Sequence, residues 1–453
     1  MIAVSLSQLS NVLDAKLIGE DLNIDSVSTD SRHIDGQGLF IALVGDRFDG
    51  HQFAQQAITQ GAVALLVSTP LDVSVPQLVV SDSKWALGQI GAWVHRQCQA
   101  KTAAITGSCG KTTVKEMLSS ILSRKGQLLA TLGNFNNDIG VPLTLLRETK
   151  GDEFAVLELG ANHIGEIAYT TKLVQPDVAL VNNVAAAHLE GFGSLDGVKQ
   201  AKGEIYQGLQ PGADAIVNLD SHGGASWDAV LQDKVVRTFS MKDNQADFFA
   251  SAIELTSAGE AQFLLHTPEG QCPIQLGLVG EHNVGNALAA SALAFSLGAS
   301  LVDVQQGLAE LSGVKGRVER IILRHNIDLI DDSYNASVPA MEAAVDLLHR
   351  LEGKKWLILG NMAELGEQSA TLHRQVGERA AQYDFEHVLT YGYDAAVISA
   401  LCQGEHFSTH SDLLAYIEQH LPLDPPHKHT LLVKGANSAG MFQIAASLQE
   451  IYS

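Results

Sequence analysis

A chain of 453 residues with 46% apolar and 18% charged residues can bury real cores, in about three domains of ordinary size, and is not a disordered polymer. Its 29 basic against 51 acidic residues leave a net charge of -22, which argues against nonspecific binding to nucleic acid or anionic lipid and demands local positive charge wherever an anion is held. Cys98, Cys109, Cys272 and Cys402 are scattered without a CxxC pair, the start Met1-Ile2-Ala3-Val4-Ser5-Leu6 carries no basic leader, and no apolar run reaches membrane-spanning length. The expectation is a cytoplasmic protein with reduced thiols, no nucleic-acid partner and no membrane insertion.

Residues 1–83 contain short β-rich stretches, Gly38 to Leu43 and Ala62 to Val67, between polar turns, and read as a small α/β domain. From 84 to 315 strand, loop and helix alternate, with buried-strand runs at Ala103-Ala104-Ile105, Phe154 to Leu157 and Val178 to Val181. Residues 246–280 read as antiparallel strands, followed by a helix with apolar positions from Val284 to Ala294. Residues 316–453 alternate again, with strands at Ile327 to Ile330, Trp356 to Leu359, His387 to Leu389 and Thr430 to Val433 and a helix from about Pro339 to Leu351. The fold class expected is α/β in three domains: a small N-terminal one, a central parallel sheet with a phosphate loop, and a Rossmann-like C-terminal one.

The phosphate loop is Thr106-Gly107-Ser108-Cys109-Gly110-Lys111-Thr112-Thr113, placed between a buried strand and a helix. Such a turn presents backbone N–H groups to phosphate, with Lys111 for the terminal phosphates and the Thr112 hydroxyl for Mg²⁺. Ile105 stands where the general motif has its first glycine, so the loop is a shortened relative. Glu158 ends the strand beginning at Phe154, where a metal carboxylate belongs, although a solvated strand-end glutamate is the ordinary alternative. His188 follows the next strand and is a metal ligand only in combination with the loop. Lys199 and Lys202 share a helix, and periodicity does not choose between them.

Asn283, in Gly280-Glu281-His282-Asn283, is either a helix-cap residue or a reader of an adenine edge. Arg317 sits near the boundary of the second and third domains, where a cation can stabilise a transferring phosphoryl group. Asp332 and Asn335, in Asp331-Asp332-Ser333-Tyr334-Asn335, read as a nucleotide-contacting loop or as solvated capping groups. Asp30-Ser31-Arg32 and the turn from Gly45 to His51, which includes Asp46 and Arg47, offer groups suited to a nucleotide diphosphate. Asn134, Asn136 and Asn137 form an amide-rich turn with the look of a recognition surface.

In this order the segments resemble the Mur ligases across essentially the whole chain. The resemblance rests on the shortened phosphate loop, Gly133-Asn134-x-Asn136-Asn137-x-Ile139-Gly140-x-Pro142, Glu158-Leu159-Gly160-Ala161-Asn162, Ala201-Lys202-Gly203-Glu204-Ile205 and Asp332-Ser333-Tyr334-Asn335-Ala336. Within the family it implies the branch that uses ATP and Mg²⁺ to activate the terminal carboxylate of a UDP-N-acetylmuramoyl-tripeptide as an acyl phosphate, which the amine of D-alanyl-D-alanine then attacks. The resemblance makes Lys202 the carbamylated lysine that holds a second Mg²⁺ beside His188. It also assigns residues 1–83 to the UDP group through Ser31 and Arg32, residues 84–315 to ATP through Lys111 and Asn283, with Arg317 added from just beyond the boundary, and residues 316–453 to the dipeptide, in a monomer. Lys434-Gly435-Ala436-Asn437-Ser438 departs from the family's Lys-Gly-Ser-Arg and removes a cation. The alternatives are another Mur-type or folate-polyglutamylating ligase, or a regulatory phosphate-loop protein; for a GTP switch the guanine-reading Asn-Lys-x-Asp is absent.

Overall fold

A computed structural model describes residues 1–453 apart from 46, 47, 187, 188, 312 and 325. Among the described residues, the central sheet has nine strands. Its parallel part runs, in spatial order, Leu128–Ala130, Phe154–Glu158, Lys101–Thr106, Val178–Val181, Asp214–Asn218 and Val235–Ser240. Phe248–Leu255 then pairs parallel to Val235–Ser240 and begins an antiparallel meander with Glu260–Thr267 and Gly270–Val279. The Phe154–Glu158 and Val178–Val181 strands are buried along their whole length, as continuous apolar runs covered on both faces must be. Helices Lys111–Ser123 and His282–Ser296 cover one face together, closing a cluster that includes Ile105, Val114, Leu118, Val284 and Leu288.

The N-terminal sheet orders Lys16–Ile18, Gln77–Val79, Ala62–Val67, Gly38–Ile41 and Ser26–Ser28, with only the first pair antiparallel. Helix Ser83–Cys98, capped by the Asp82 carboxylate on the Lys84 and Trp85 N–H groups, joins this sheet to the central one. Its Ala86, Leu87, Ile90 and Val94 bury against Leu6, Leu39 and Leu66, at about 2 kcal/mol for each large side chain, while Ala92 faces the central core. Gly91 lets helix Gly140–Leu145 approach, since a Cβ there would stand 3.0 Å from the Pro142 carbonyl oxygen.

The C-terminal sheet orders Glu319–Arg324, Ile327–Asp332, His429–Lys434, Lys354–Gly360, His387–Tyr391 and Glu405–Phe407, all parallel except the first pair. The α/β class and the main strands expected from the apolar runs are present. Edge strand Glu319–Arg324 is not predicted from the sequence, because it is half-exposed and its short apolar stretch Ile321-Ile322-Leu323 is flanked by Glu319, Arg320 and Arg324 without alternation. One apolar cluster includes Leu157 and Val181 of the central sheet, Val318 of the connector and Ile330, Met341 and Leu357 of the C-terminal layer. The carboxyl ends of strands Lys101–Thr106, Ile327–Asp332 and His429–Lys434 contribute to or lead into a shared cleft, the usual ligand position in open α/β sheets.

Candidate active site

The cleft has a volume of about 510 Å³ and is lined by the phosphate loop on one side and by Arg317, Asp332, Asn335 and Lys434 on the other. Gly110 precedes helix Lys111–Ser123 with φ +77°, a conformation that leaves the first helical N–H groups pointing outward to an anion. A Cβ on Gly110 would lie 2.5 Å from Asn286 Oδ1 and 2.6 Å from Asn182 Nδ2. The loop is held from behind by amides: Asn183 Oδ1 accepts from the Cys109 N–H at 2.9 Å, and the Cys109 carbonyl accepts from both Asn182 Nδ2 and Asn183 Nδ2. The Ser108 N–H donates to the Asn183 carbonyl, and its hydroxyl exchanges bonds with the Ala185 backbone. Thr113 is buried at the start of the helix and lines the cleft.

Lys111 Nζ donates to the Gly107 carbonyl at 2.8 Å. Desolvation lowers its pKa from the usual lysine value; the Glu158 carboxylate opposes that shift and the Arg317 cation adds to it. Thr112 Oγ1 donates to Glu158 Oε2 at 2.9 Å, Asn136 Nδ2 donates to Glu158 Oε1 at 3.0 Å, and Arg317 Nη2 donates to Thr112 Oγ1 at 3.2 Å. Glu158 is thus a buried, doubly bonded carboxylate and not a solvated strand-end residue. Among the described residues no group of three His, Cys, Asp or Glu side chains is arranged to hold a metal. One carboxylate beside one threonine hydroxyl nonetheless fits Mg²⁺, which takes one or two protein oxygens and completes its shell with water and phosphate.

On the opposite wall, Asp332 is buried at its strand end and accepts from Lys434 Nζ at 2.6 Å. Asp331 accepts from the Ser333 N–H and hydroxyl. The reading of these carboxylates as solvated capping groups is therefore replaced by burial in the sheet. Asn335 is exposed to the cleft, its Oδ1 accepting from the Ala336 N–H. Asn283 is buried, donating to the Val279 carbonyl and accepting from Asn286 Nδ2; the cap position is Glu281, without a side-chain cap bond, so Asn283 is not the helix cap.

Lys202 is 1% exposed, with its ammonium 5.3 Å from the Phe192 ring centroid. Burial, with a smaller contribution from Lys111, lowers its pKa to about 7, whereas Lys199 pairs with Asp196 on the outer side of the same helix. The structure thereby separates the two lysines that periodicity left equivalent. His188 lies outside the described residues, as do Asp46 and Arg47. Outside the cleft lining, the Ser31 hydroxyl donates to Gln56 Oε1, and the exposed Arg32 guanidinium forks onto Asp30. Of the amide-rich turn, Asn136 serves Glu158, Asn137 Oδ1 accepts from the Ile139 and Gly140 N–H groups, and Asn134 is exposed beside Phe135.

A second cavity of about 520 Å³ adjoins the first, with Ala363, Glu364, Leu365 and Ser438 in both linings. Glu190, Asn361, Ser369 and Asp394 complete its polar wall, and the Glu190 N–H donates to the Glu364 carbonyl across the two layers. Glu364 has φ +60°, a strained setting for a non-glycine residue. Sequence reasoning gave no role to Asn182, Asn183, Asn286 or these residues. An Asn pair directly after a fully buried strand was the available signal, because amides at such an end have only the neighbouring loop to bond.

The family model of the Mur ligase middle domain matches residues 105–294, that of the Mur ligase glutamate ligase domain residues 316–437, and that of the Mur ligase family catalytic domain residues 23–92. UDP-N-acetylmuramoyl-tripeptide--D-alanyl-D-alanine ligase of Escherichia coli (strain K12) is 49% identical over 451 residues, covering 99% of each chain. The protein of the same name from Haemophilus influenzae is 45% identical over 458 residues with the same coverage. Among solved structures, MurF from Acinetobacter baumannii has a TM-score of 0.92 at 38% identity over 99% of each chain. MurF ligase from Thermotoga maritima, in complex with ADP, has a TM-score of 0.83 at 26% identity over 94% of this chain and 97% of its own.

Proposed function

The chain belongs to the Mur ligase family, and from that premise we propose that it joins D-alanyl-D-alanine to UDP-N-acetylmuramoyl-tripeptide with ATP, forming a peptide-bond precursor of the cell wall. The observation that carries the reading is a chain of contacts beside the cleft: Lys111 and Arg317 line it, Arg317 donates to Thr112, and Thr112 donates to Glu158. A carboxylate is a poor electrophile, and phosphorylation gives its carbon a good leaving group. The γ-phosphoryl group passes to the terminal carboxylate oxygen of the tripeptide; the dipeptide amine then attacks the acyl carbon, and the C–O bond to phosphate breaks. ADP, phosphate and the amide are the products.

Lys111 and Arg317 neutralise charge on the transferring group from two sides of the cleft. Thr112 and Glu158 would hold Mg²⁺, which supplies further charge neutralisation on phosphate oxygens. Carbamylation of Lys202 requires its unprotonated amine, which the pKa of about 7 makes available near neutrality. That change would convert a buried cation into an anion suited to a second Mg²⁺, with His188 assigned beside it from its sequence position alone. Lys202→Ala is expected to lose at least about a hundredfold in kcat and to recover part of it with a short-chain carboxylate in solution; absence of recovery contradicts the carbamate role.

The N-terminal layer, with Ser31 and Arg32, is assigned to the UDP group, and the exposed turn at Asn134 to the approaching muramoyl peptide. The second cavity suits an ammonium group, and we assign it to the amine end of the dipeptide, with Glu190, Glu364 and Asp394 forming an acidic surround. No described helix is long and apolar enough to cross a membrane, and the reaction is proposed to run in the cytoplasm on a monomer. The test is phosphate release from ATP with each substrate alone and with both together. Release requiring both, with an amide product of their combined mass less water, supports the reading; release indifferent to the dipeptide rejects it.

A further inference from the structure

Arg317 reaches the phosphate loop from a segment with an unusual backbone. The residue after it, Val318, is β-branched, buried and set at φ +53°, a conformation that such side chains rarely adopt. The guanidinium itself has few anchors: it stacks on the Tyr334 ring at 4.2 Å and donates one bond to Thr112, while its Nε is buried without a hydrogen-bond partner. Its place is therefore decided by the backbone that carries it. That backbone is fastened to the C-terminal layer by Val318 N–H to Asp332 Oδ1 at 3.3 Å and by the Tyr334 N–H to the Gly316 carbonyl at 3.2 Å, and it continues into strand Glu319–Arg324, which pairs with Ile327–Asp332.

Asp332 has a second engagement. Its Oδ2 accepts from Lys434 Nζ at 2.6 Å, and the same ammonium donates to the Asn335 carbonyl at 3.0 Å. Lys434 is 3% exposed and Asp332 6%, so neither charge is satisfied by solvent, and each depends on the other. We propose that Lys434 is a positioning residue for phosphoryl transfer: by locking Asp332 and the 332–335 loop, it holds Val318 in its strained conformation and Arg317 over Thr112. The motif position that lacks an arginine in this chain, Asn437, is then not the critical departure; the lysine three residues before it carries the wall.

This inference rests on the ligase reading, and a double-mutant cycle separates the two. Arg317→Ala is expected to lower kcat about a hundredfold and Lys434→Met about tenfold or more, with ATP KM moving less than kcat in both. If Lys434 acts through Arg317, the double variant is no slower than Arg317→Ala alone, and Lys434→Arg retains most of the rate. Effects that multiply, with Arg317→Ala still damaging, overturn the positioning role and leave the ligase reading intact. An Arg317→Ala protein with unchanged phosphate release breaks the reading of the cleft itself. Thermal unfolding of each variant controls for global loss; if Lys434→Met does not fold, Lys434→Gln replaces it in the cycle under the same rule.

Discussion

The phosphate-loop wall and the C-terminal wall of the cleft hold their groups by different physical means. On the first, Gly110 takes a left-handed turn, and the peptide of Cys109 is bonded on both sides by Asn182 and Asn183, so the loop is fixed by backbone conformation and neutral amides. On the second, the ends of two strands about a hundred residues apart are tied by the buried pair of Lys434 and Asp332. A wall set by backbone geometry tolerates little change in volume, because a methyl group displaces the loop directly. A wall set by a buried ion pair tolerates modest change in shape but not the loss of one charge, which leaves the other uncompensated.

The sharpest break of that contrast is removal of charge from the geometric wall. Lys111→Met is expected to lower kcat for phosphate release by about 10²–10³, since a cation aimed at developing phosphate charge is lost. Its thermal stability should stay close to that of the parent or rise slightly, because burial already opposes the charge of Lys111. A large fall in stability instead would place Lys111 in the structural framework, and the contrast between walls would dissolve. Steady-state kinetics with a melting curve on one preparation measures both.

A volume change at the same wall comes next. Gly110→Ala forces a non-glycine residue to φ +77° with its Cβ against Asn286 and Asn182, at a cost of about 1–3 kcal/mol in stability. ATP KM is expected to rise about tenfold as the N–H groups lose their aim. Unaltered KM in titrations with ATP would show that the loop has room to relax.

The smallest expected effect concerns the loop between the two cavities. His373 is fully buried, accepts from the Met362 N–H through Nε2 and faces the Ser369 carbonyl with Nδ1, so it is held neutral, and burial lowers its pKa from 6.5. The unfolded chain therefore takes up protons near pH 6.5 that the folded chain resists until the pH is lower. This contribution to stability is present above pH 6.5 and is lost as the pH falls below it. Denaturant midpoints between pH 7.5 and 5.5 should decline less in His373→Gln than in the parent. Parallel declines would assign the effect to other histidines, such as half-buried His387 and buried His429, whose pKa values burial also lowers.

These cases show which parts of the site were legible in the sequence. Gly110, Lys111 and Thr112 were readable because a phosphate loop is one contiguous turn whose chemistry follows from residue order. Glu158 was readable once that loop preceded it, since a parallel strand places its end beside the neighbouring strand's end. Lys434 and Asp332 were visible only as motif members, because nothing local in either segment says that their side chains meet. Asn182 and Asn183 were passed over for the same reason: their partner is a peptide group more than seventy residues earlier. The core strands announced themselves as continuous apolar runs, whereas edge strand Glu319–Arg324 pairs with one neighbour and carries only a three-residue apolar stretch between charged residues.

In the proposed reaction, the cleft transfers phosphate to the terminal carboxylate of the UDP-linked tripeptide before the amide forms. Heavy-oxygen labelling of that carboxylate tests it directly, by mass spectrometry of the phosphate released on full turnover with ATP and D-alanyl-D-alanine. Transfer through the acyl phosphate carries one labelled oxygen into each phosphate and leaves the other in the amide. Unlabelled phosphate, formed at the rate of amide product, would contradict the account.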